Sequence, residues 1–406
     1  MFYILRLSTL LLMILAAAMA AGAQVNPAKV DTSNPDQSPS ALVREPPQPD
    51  SCKNQTGKPI NMLVFGDSIM WGQGLKEENK ISYRVQNWLC RRTQRPVKLW
   101  REAHSGAIIG DGAEDDKDRD GEINVGKPTI WAELNHALST HFKDRAADVD
   151  FVLMDGCIND FDVVKNLLDA TITPGQVQTL SRKMCYDRMK PLLEKAASDL
   201  PNARFIVTGY YPVMTEKSSR NLLLRALLGW ILRIHFAKEK EKWLFPSAKR
   251  TLFKTLVQAS KEFGESSNAD LRESVAKANG TSNRIVFAPV YYKPNSGFGS
   301  PGSGFAAPKN TSLLWTSMFN STGHGGLTKF FYVVFKLNFH ALRPNDEVYK
   351  ERKASCKQEQ DFSGFSRLTC QVAAFGHPNE AGVNEYVERV IMELQRILDT
   401  TDWLKK

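Results

Sequence analysis

A doubly wound α/β domain on a parallel sheet is the architecture this sequence predicts, and three observations predict it. Five short apolar runs rich in Val, Ile, Leu and Phe are spread between residues 60 and 288. The stretches between them carry apolar residues three and four apart, the period of an amphipathic helix. Strand and helix therefore alternate, and alternation implies parallel strands whose two faces are covered by the crossover helices. Sites in such sheets form beyond the carboxyl ends of the strands.

In chain order, Arg6 precedes an uncharged apolar run over 7–21, and Ala21-Gly22-Ala23 follows before Gln24. Basic, apolar and small-residue regions in that order read as a secretory signal peptide, cleaved near Ala23. The run is shorter than the roughly 20 residues a membrane span needs. Residues 24–50 repeat Pro, Ser, Asp and Asn with few large apolar side chains, so they read as a disordered linker. One domain is expected over 51–406, with insertions at about 215–280 and 293–350. Its strands are expected at 60–65, 97–103, 150–154, 204–209 and 284–288. Its helices are expected at about 78–92, 129–140, 174–198, 251–277 and 380–404.

With 406 residues, 42% hydrophobic and 24% charged, the chain can bury a sizeable core. The net charge of +9 leaves an anionic partner such as a phospholipid surface open. Nucleic acid is not expected, because zinc-finger spacing, an RNP-like strand and dense basic tracts are all missing. Six cysteines in an exported chain allow disulfides. Cys356 with Cys370 is favoured by proximity, Cys52 can reach Cys90, and Cys157 and Cys185 are either a pair or two buried thiols.

The polar residues after the strands are the chemically informative ones. Gly66-Asp67-Ser68 follows the first strand, His104-Ser105-Gly106 the second, and Asp155 to Asp160 the third, so all three converge on one rim. Tyr210-Tyr211-Pro212 after the fourth strand reads as a wall of the same cleft. Phe375-Gly376-His377-Pro378-Asn379 puts a histidine just before the last helix. Acyl transfer to a serine needs a base for the hydroxyl proton and donors for the oxygen that becomes negative. Ser68 suits the nucleophile and His377 the base. The backbone N–H groups of Ser68 and Gly106 and the Asn159 amide suit the oxyanion hole. Asp67 and Asp160 read as structural, each fixing its own turn through backbone N–H bonds.

On four blocks the chain resembles the SGNH hydrolases of the GDSL esterase and lipase family. These are Gly66-Asp67-Ser68, His104-Ser105-Gly106-Ala107, Cys157-Ile158-Asn159-Asp160 and Gly376-His377-Pro378-Asn379. The resemblance implies a three-layer α/β/α flavodoxin-like fold with a central five-stranded parallel sheet. It also implies Ser68 as nucleophile, Gly106 and Asn159 in the oxyanion hole, His377 as base, and no metal or organic cofactor. Three positions depart from the family pattern. Ile69-Met70 replaces the usual leucine, Cys157 replaces a glycine, and Ala374 stands three residues before the histidine where the family has an aspartate. A Ser–His dyad is therefore expected, its imidazole oriented by a backbone carbonyl within 372–375, with Glu380 or Asp361 as the alternative.

Three further segments carry weaker signals. Asp116, Asp118 and Asp120, with Gly121, resemble the start of a calcium loop, but Lys127 takes the place of the closing glutamate, so a solvated acidic loop is expected. The apolar segments 222–236 and 330–339 suit either a packed helix or a membrane surface, and favour a lipid ester over a small acetyl group as substrate. Glycine-rich 296–304 reads as a loop bordering the cleft.

Overall fold

Each of the five apolar runs forms a strand. They are β1 (Ile60–Phe65), β2 (Val97–Arg101), β3 (Val149–Met154), β4 (Arg204–Thr208) and β5 (Ile285–Ala288). The computed structural model of the protein describes residues 48–110, 128–162, 171–218, 246–298 and 376–404, together with Gly112, Glu122, Asn166 and Ser300. Every adjacent strand pair is parallel, in the order β2-β1-β3-β4-β5. The chain steps from β1 outward to β2 and then back across to β3, so the direction of winding reverses between β1 and β3. That reversal is the topological switch point at which open α/β sheets open a crevice.

The crossovers are α1 (Ile81–Thr93), α2 (Ile130–His136), α3 (Pro174–Ser181), α4 (Met189–Asp199) and α5 (Pro246–Asn279), and α6 (Glu380–Thr400) follows the sheet. The fold is α/β/α: α1 packs on α6, which also meets β4 and β5, while α3 and α4 both pack on α5, and α5 covers β5. Met62, Leu63, Val64, Phe151, Val152, Leu153, Phe205, Ile206 and Val207 are fully buried. Strands buried on both faces lose the apolar–polar alternation of a half-exposed sheet, which is why they appear in the sequence as continuous runs.

Three helices differ from their sequence pattern, each for a physical reason. Glu77–Asn79 form a separate 3-10 turn ahead of α1, because Glu77 is drawn to Arg101 (Nη1, 3.1 Å) and Lys80 (Nζ, 3.1 Å). Burial alone would raise the Glu77 carboxyl, but these two cations pull it down to about 2. After α2 the chain widens into a π turn over Ala137–His141. A second π turn, Arg182–Tyr186, separates α3 from α4. There Ser274 Oγ donates to the Cys185 carbonyl (3.2 Å), satisfying a group that a widened turn loosens.

Disulfides join Cys52 to Cys90 and Cys157 to Cys185, and such bonds fit an oxidising compartment. Among the described residues no helix is long and apolar enough to cross a membrane. The expected linker ends earlier than residue 50, because Asp50 opens a short helix, Asp50–Lys53. Residues 1–47, Cys356, Cys370, segments 222–236 and 330–339, and the acidic residues Asp116, Asp118 and Asp120 lie outside the described residues.

Candidate active site

The turn after β1 admits only glycine at position 66. Its φ is +130°, and a Cβ there would stand 2.0 Å from Asp155 Oδ1. Asp67 then closes the turn as expected, its Oδ1 accepting the Ile69 N–H at 2.8 Å. Ser68 is the first residue of a short helix, Ser68–Trp71, so its own N–H has no acceptor within that helix. Its Oγ lies 2.7 Å from His377 Nε2. Residues 309 apart in sequence thus meet within hydrogen-bond reach, as a nucleophile and its base must.

His377 is held from both sides along the chain. Gly376 has φ +81°, and its carbonyl accepts the Tyr211 hydroxyl at 3.0 Å. Asn379 caps α6, its Oδ1 accepting the N–H groups of Ala381 and Gly382 at 3.0 Å each. Tyr211 in turn stacks on Tyr292 with ring centroids 4.5 Å apart and planes 11° apart. Tyr210 and Tyr211 are both buried. They are therefore props beneath the site and not the cleft wall that the sequence suggested.

The second and third strand ends carry Gly106 and Asn159. Gly106 has φ +90° with open space where a Cβ would point, so its backbone is accessible to an approaching group. Asn159 Nδ2 donates to the Ala107 carbonyl at 2.8 Å, which fixes the amide beside the glycine block. A primary amide has two N–H groups, and this bond uses one of them. Asp160 is structural, but it does not fix its own turn: Oδ2 accepts the Ile109 N–H at 2.8 Å and Oδ1 takes Arg188 Nη1 at 2.7 Å. It ties the third strand end to the second. Cys157 occupies a left-handed conformation, φ +108°, which explains why a glycine suits that position.

A group of buried carboxyls underlies these turns. Glu133 on α2 accepts the Gly66 N–H at 2.7 Å through Oε2 and the His104 N–H at 3.1 Å through Oε1. It joins the nucleophile turn to the glycine block. Asp155 Oδ1 accepts the Asp67 N–H at 2.9 Å, and Asp67 Oδ2 accepts the Tyr210 hydroxyl at 2.6 Å. Burial pushes the Asp67 carboxyl up to about 6, against the hydrogen bonds from Tyr210 and Ile69. Burial, and then the charge of Asp67, holds Asp155 well above the usual carboxylate range. Sequence reasoning did not single out Glu133, Tyr211 or Asp155 for these roles. For Glu133 a signal existed: it stands three residues after Ile130 and four before Ala137, a carboxylate on the buried stripe of a helix.

Ala374, the carbonyls of 372–375 and Asp361 lie outside the described residues. Glu380 is exposed and accepts Asn79 Nδ2 at 2.9 Å. Of the acidic segment 116–124 only Glu122 is described, and it accepts Ser105 Oγ at 3.0 Å. A cavity of about 460 Å³ beyond β4 and β5 is lined by Pro212, Met214, Val257, Gly264, Tyr291 and Tyr292 among others, and its lining includes neither Ser68 nor His377.

No family model and no curated protein matches the chain. Solved structures similar to it include a lipase from a goat rumen metagenome, at 13% identity and a TM-score of 0.35, covering 57% of this chain and 81% of that one. Phospholipase A1 from Streptomyces albidoflavus is 11% identical with a TM-score of 0.35, covering 82% and 98% of the two chains. A family 3 carbohydrate esterase from Clostridium thermocellum is 15% identical with a TM-score of 0.26, covering 57% and 78%. Likenesses this remote carry no substrate or residue role across.

Proposed function

We propose that the protein is an exported serine esterase that hydrolyses carboxylic esters through an acyl-enzyme on Ser68. The observation that carries this reading is the 2.7 Å separation of Ser68 Oγ and His377 Nε2 at the strand-end rim. His377 Nε2 takes the hydroxyl proton as Ser68 Oγ attacks the ester carbonyl, and the carbonyl oxygen becomes an oxyanion. The N–H groups of Ser68 and Gly106 and the Asn159 amide receive that charge. Collapse breaks the ester C–O bond, and His377 returns its proton to the departing alcohol. Water, deprotonated by His377, then cleaves the acyl–Ser68 ester and regenerates the hydroxyl.

The resemblance of the four blocks supports the same assignment. With Ala374 where the family has its aspartate, the reading is a Ser–His dyad whose imidazole is oriented by a carbonyl within 372–375, with Glu380 or Asp361 as the alternative. Within the class, the apolar segments 222–236 and 330–339 favour a lipid ester over an acetylated carbohydrate. They also suit contact with a membrane surface. The test is reaction of the full chain with a fluorescent alkyl phosphonate, followed by p-nitrophenyl esters from acetate to palmitate. Labelling of wild type but not of Ser68→Ala is expected, with turnover rising toward the longer chains. No labelling of wild type would make the chain a binding protein on this fold, and a sharp maximum at acetate would overturn the lipid preference.

A further inference from the structure

Behind the glycine block lies a second cluster with its own chemistry. Glu102, the first residue after β2, is 3% exposed at its side chain, and its two oxygens face two imidazoles. Oε2 is 2.6 Å from His136 Nδ1, and Oε1 is 3.1 Å from His141 Nε2. One donor atom from each residue lies within 4.8 Å of the others, the one such His/Cys/Asp/Glu group among the described residues. We propose that Glu102, His136 and His141 bind a divalent transition-metal ion of the zinc class.

The backbone explains how these residues come together. His136 and His141 are five apart, a spacing that puts side chains on different faces of an α-helix, where neighbours are three and four apart. Here the chain leaves α2 through the π turn Ala137–His141, closed by the Phe142 N–H donating to the Ala137 carbonyl at 2.9 Å. The wider i to i+5 ladder brings both imidazoles to one side, and single π turns inside helices are frequent at functional sites. The His141 ring is backed by Trp100, centroids 4.8 Å apart, and meets the His136 ring edge-on at 5.5 Å.

Two imidazoles and one carboxylate are a donor set for zinc and its neighbours, whereas calcium and magnesium prefer oxygen alone. Three protein ligands leave a fourth position for water, and His136 and His141 are 18% and 20% exposed at their side chains, so solvent reaches the cluster. Metal–ligand bonds of about 2.0–2.2 Å in a tetrahedron set donors roughly 3.3 Å apart. The two contacts of 2.6 and 3.1 Å run to different oxygens of Glu102, and one donor atom from each of the three residues lies within 4.8 Å of the others. A bound ion would displace the hydrogen-bonding protons and draw the three donor atoms to the tetrahedral spacing.

The role of such an ion follows from its position. Glu102 precedes His104 by two residues, and Glu133 precedes His136 by three. Helix α2 therefore grips the segment after β2 twice, through Glu133 to His104 and through His136 to Glu102. An ion at the second grip braces the segment that carries Gly106 without touching substrate. This inference is independent of the ester reading, since its test reads metal binding and not turnover.

The experiment is titration of the untagged full chain with zinc chloride by calorimetry, and with cobalt(II) by visible absorption, in wild type, His136→Ala and His141→Ala. One equivalent of zinc, tetrahedral cobalt bands and a zinc-dependent rise in the thermal midpoint are expected in wild type, with affinity at least tenfold weaker in each variant. No heat and no cobalt band at millimolar metal would overturn the proposal. So would binding that both folded variants retain unchanged, which would put the ion on other histidines. Should a variant fail to fold by circular dichroism, diethyl pyrocarbonate modification of wild type decides the question. Zinc protection of His136 and His141 in a peptide map supports the site, and unchanged modification overturns it.

Discussion

Glu133→Gln is the most informative single change, because one carboxylate joins the nucleophile turn to the glycine block. Glutamine keeps the shape but turns one oxygen into an NH₂ facing a backbone N–H, either that of Gly66 or that of His104. The side chain is 1% exposed, so water cannot replace the lost acceptor. A hydrogen bond to a charged group is worth about 1.5–3 kcal/mol, and a buried donor left unsatisfied costs about 1–3 kcal/mol. One contribution opposes this loss: the Glu133 charge is among those that raise Asp155, and removing it relieves that repulsion. A stability loss of about 2 kcal/mol is therefore expected, read as a lower guanidinium midpoint with unchanged slope. The catalytic effect is larger in proportion, because a displacement of about 1 Å at a reacting group can cost about 100-fold. We expect kcat on a p-nitrophenyl ester to fall by about 10- to 100-fold with KM nearly unchanged, the pattern of a lost transition-state interaction. A folded Gln variant with wild-type kcat would refute the argument that Glu133 sets the spacing of Ser68 and Gly106.

Two further outcomes follow from the same buried groups. Asp67 and Asp155 both have raised carboxyls, so the folded state holds protons that the unfolded chain releases near pH 4. Their contribution to stability is present below that pH and is lost as pH rises through about 6, the value for Asp67. In Asp155→Asn, whose amide needs no proton to donate, the fall in urea-unfolding free energy between pH 4 and 8 should be shallower than in wild type; an identical slope would show that the pair does not titrate this way. Tyr211→Phe keeps the stack on Tyr292 but releases the Gly376 carbonyl. It should cost about 1 kcal/mol of stability and lower kcat several-fold, with KM held. Unchanged kcat would mean that His377 is positioned without that bond.

What the sequence made legible divides by how local the physics is. The five strands were readable because a doubly covered sheet demands uninterrupted apolar runs. Ser68 and His377 were readable as candidates because each lies in a block whose turn chemistry is written in adjacent residues, and the structure brings the two side chains together. Asp67 was placed correctly, since its bond to Ile69 spans two residues. Asp160 was assigned the right kind of role with the wrong partner, because the N–H it accepts is 51 residues away at Ile109. Glu133, Tyr211 and the cluster of Glu102 with His136 and His141 depend on partners brought together by the sheet, or on a π turn that periodicity averages away. These hidden residues share one task. Gly66 and His104 leave different strands, yet both N–H groups end on the Glu133 carboxylate, while Asp160 bonds from the third strand end back to the second. A serine on a turn is a common local feature. On the proposed reading, holding Ser68 beside Gly106 and Asn159 depends on buried carboxylates that cross-link three strand ends, and the switch point between β1 and β3 is where those ends come within reach of one another.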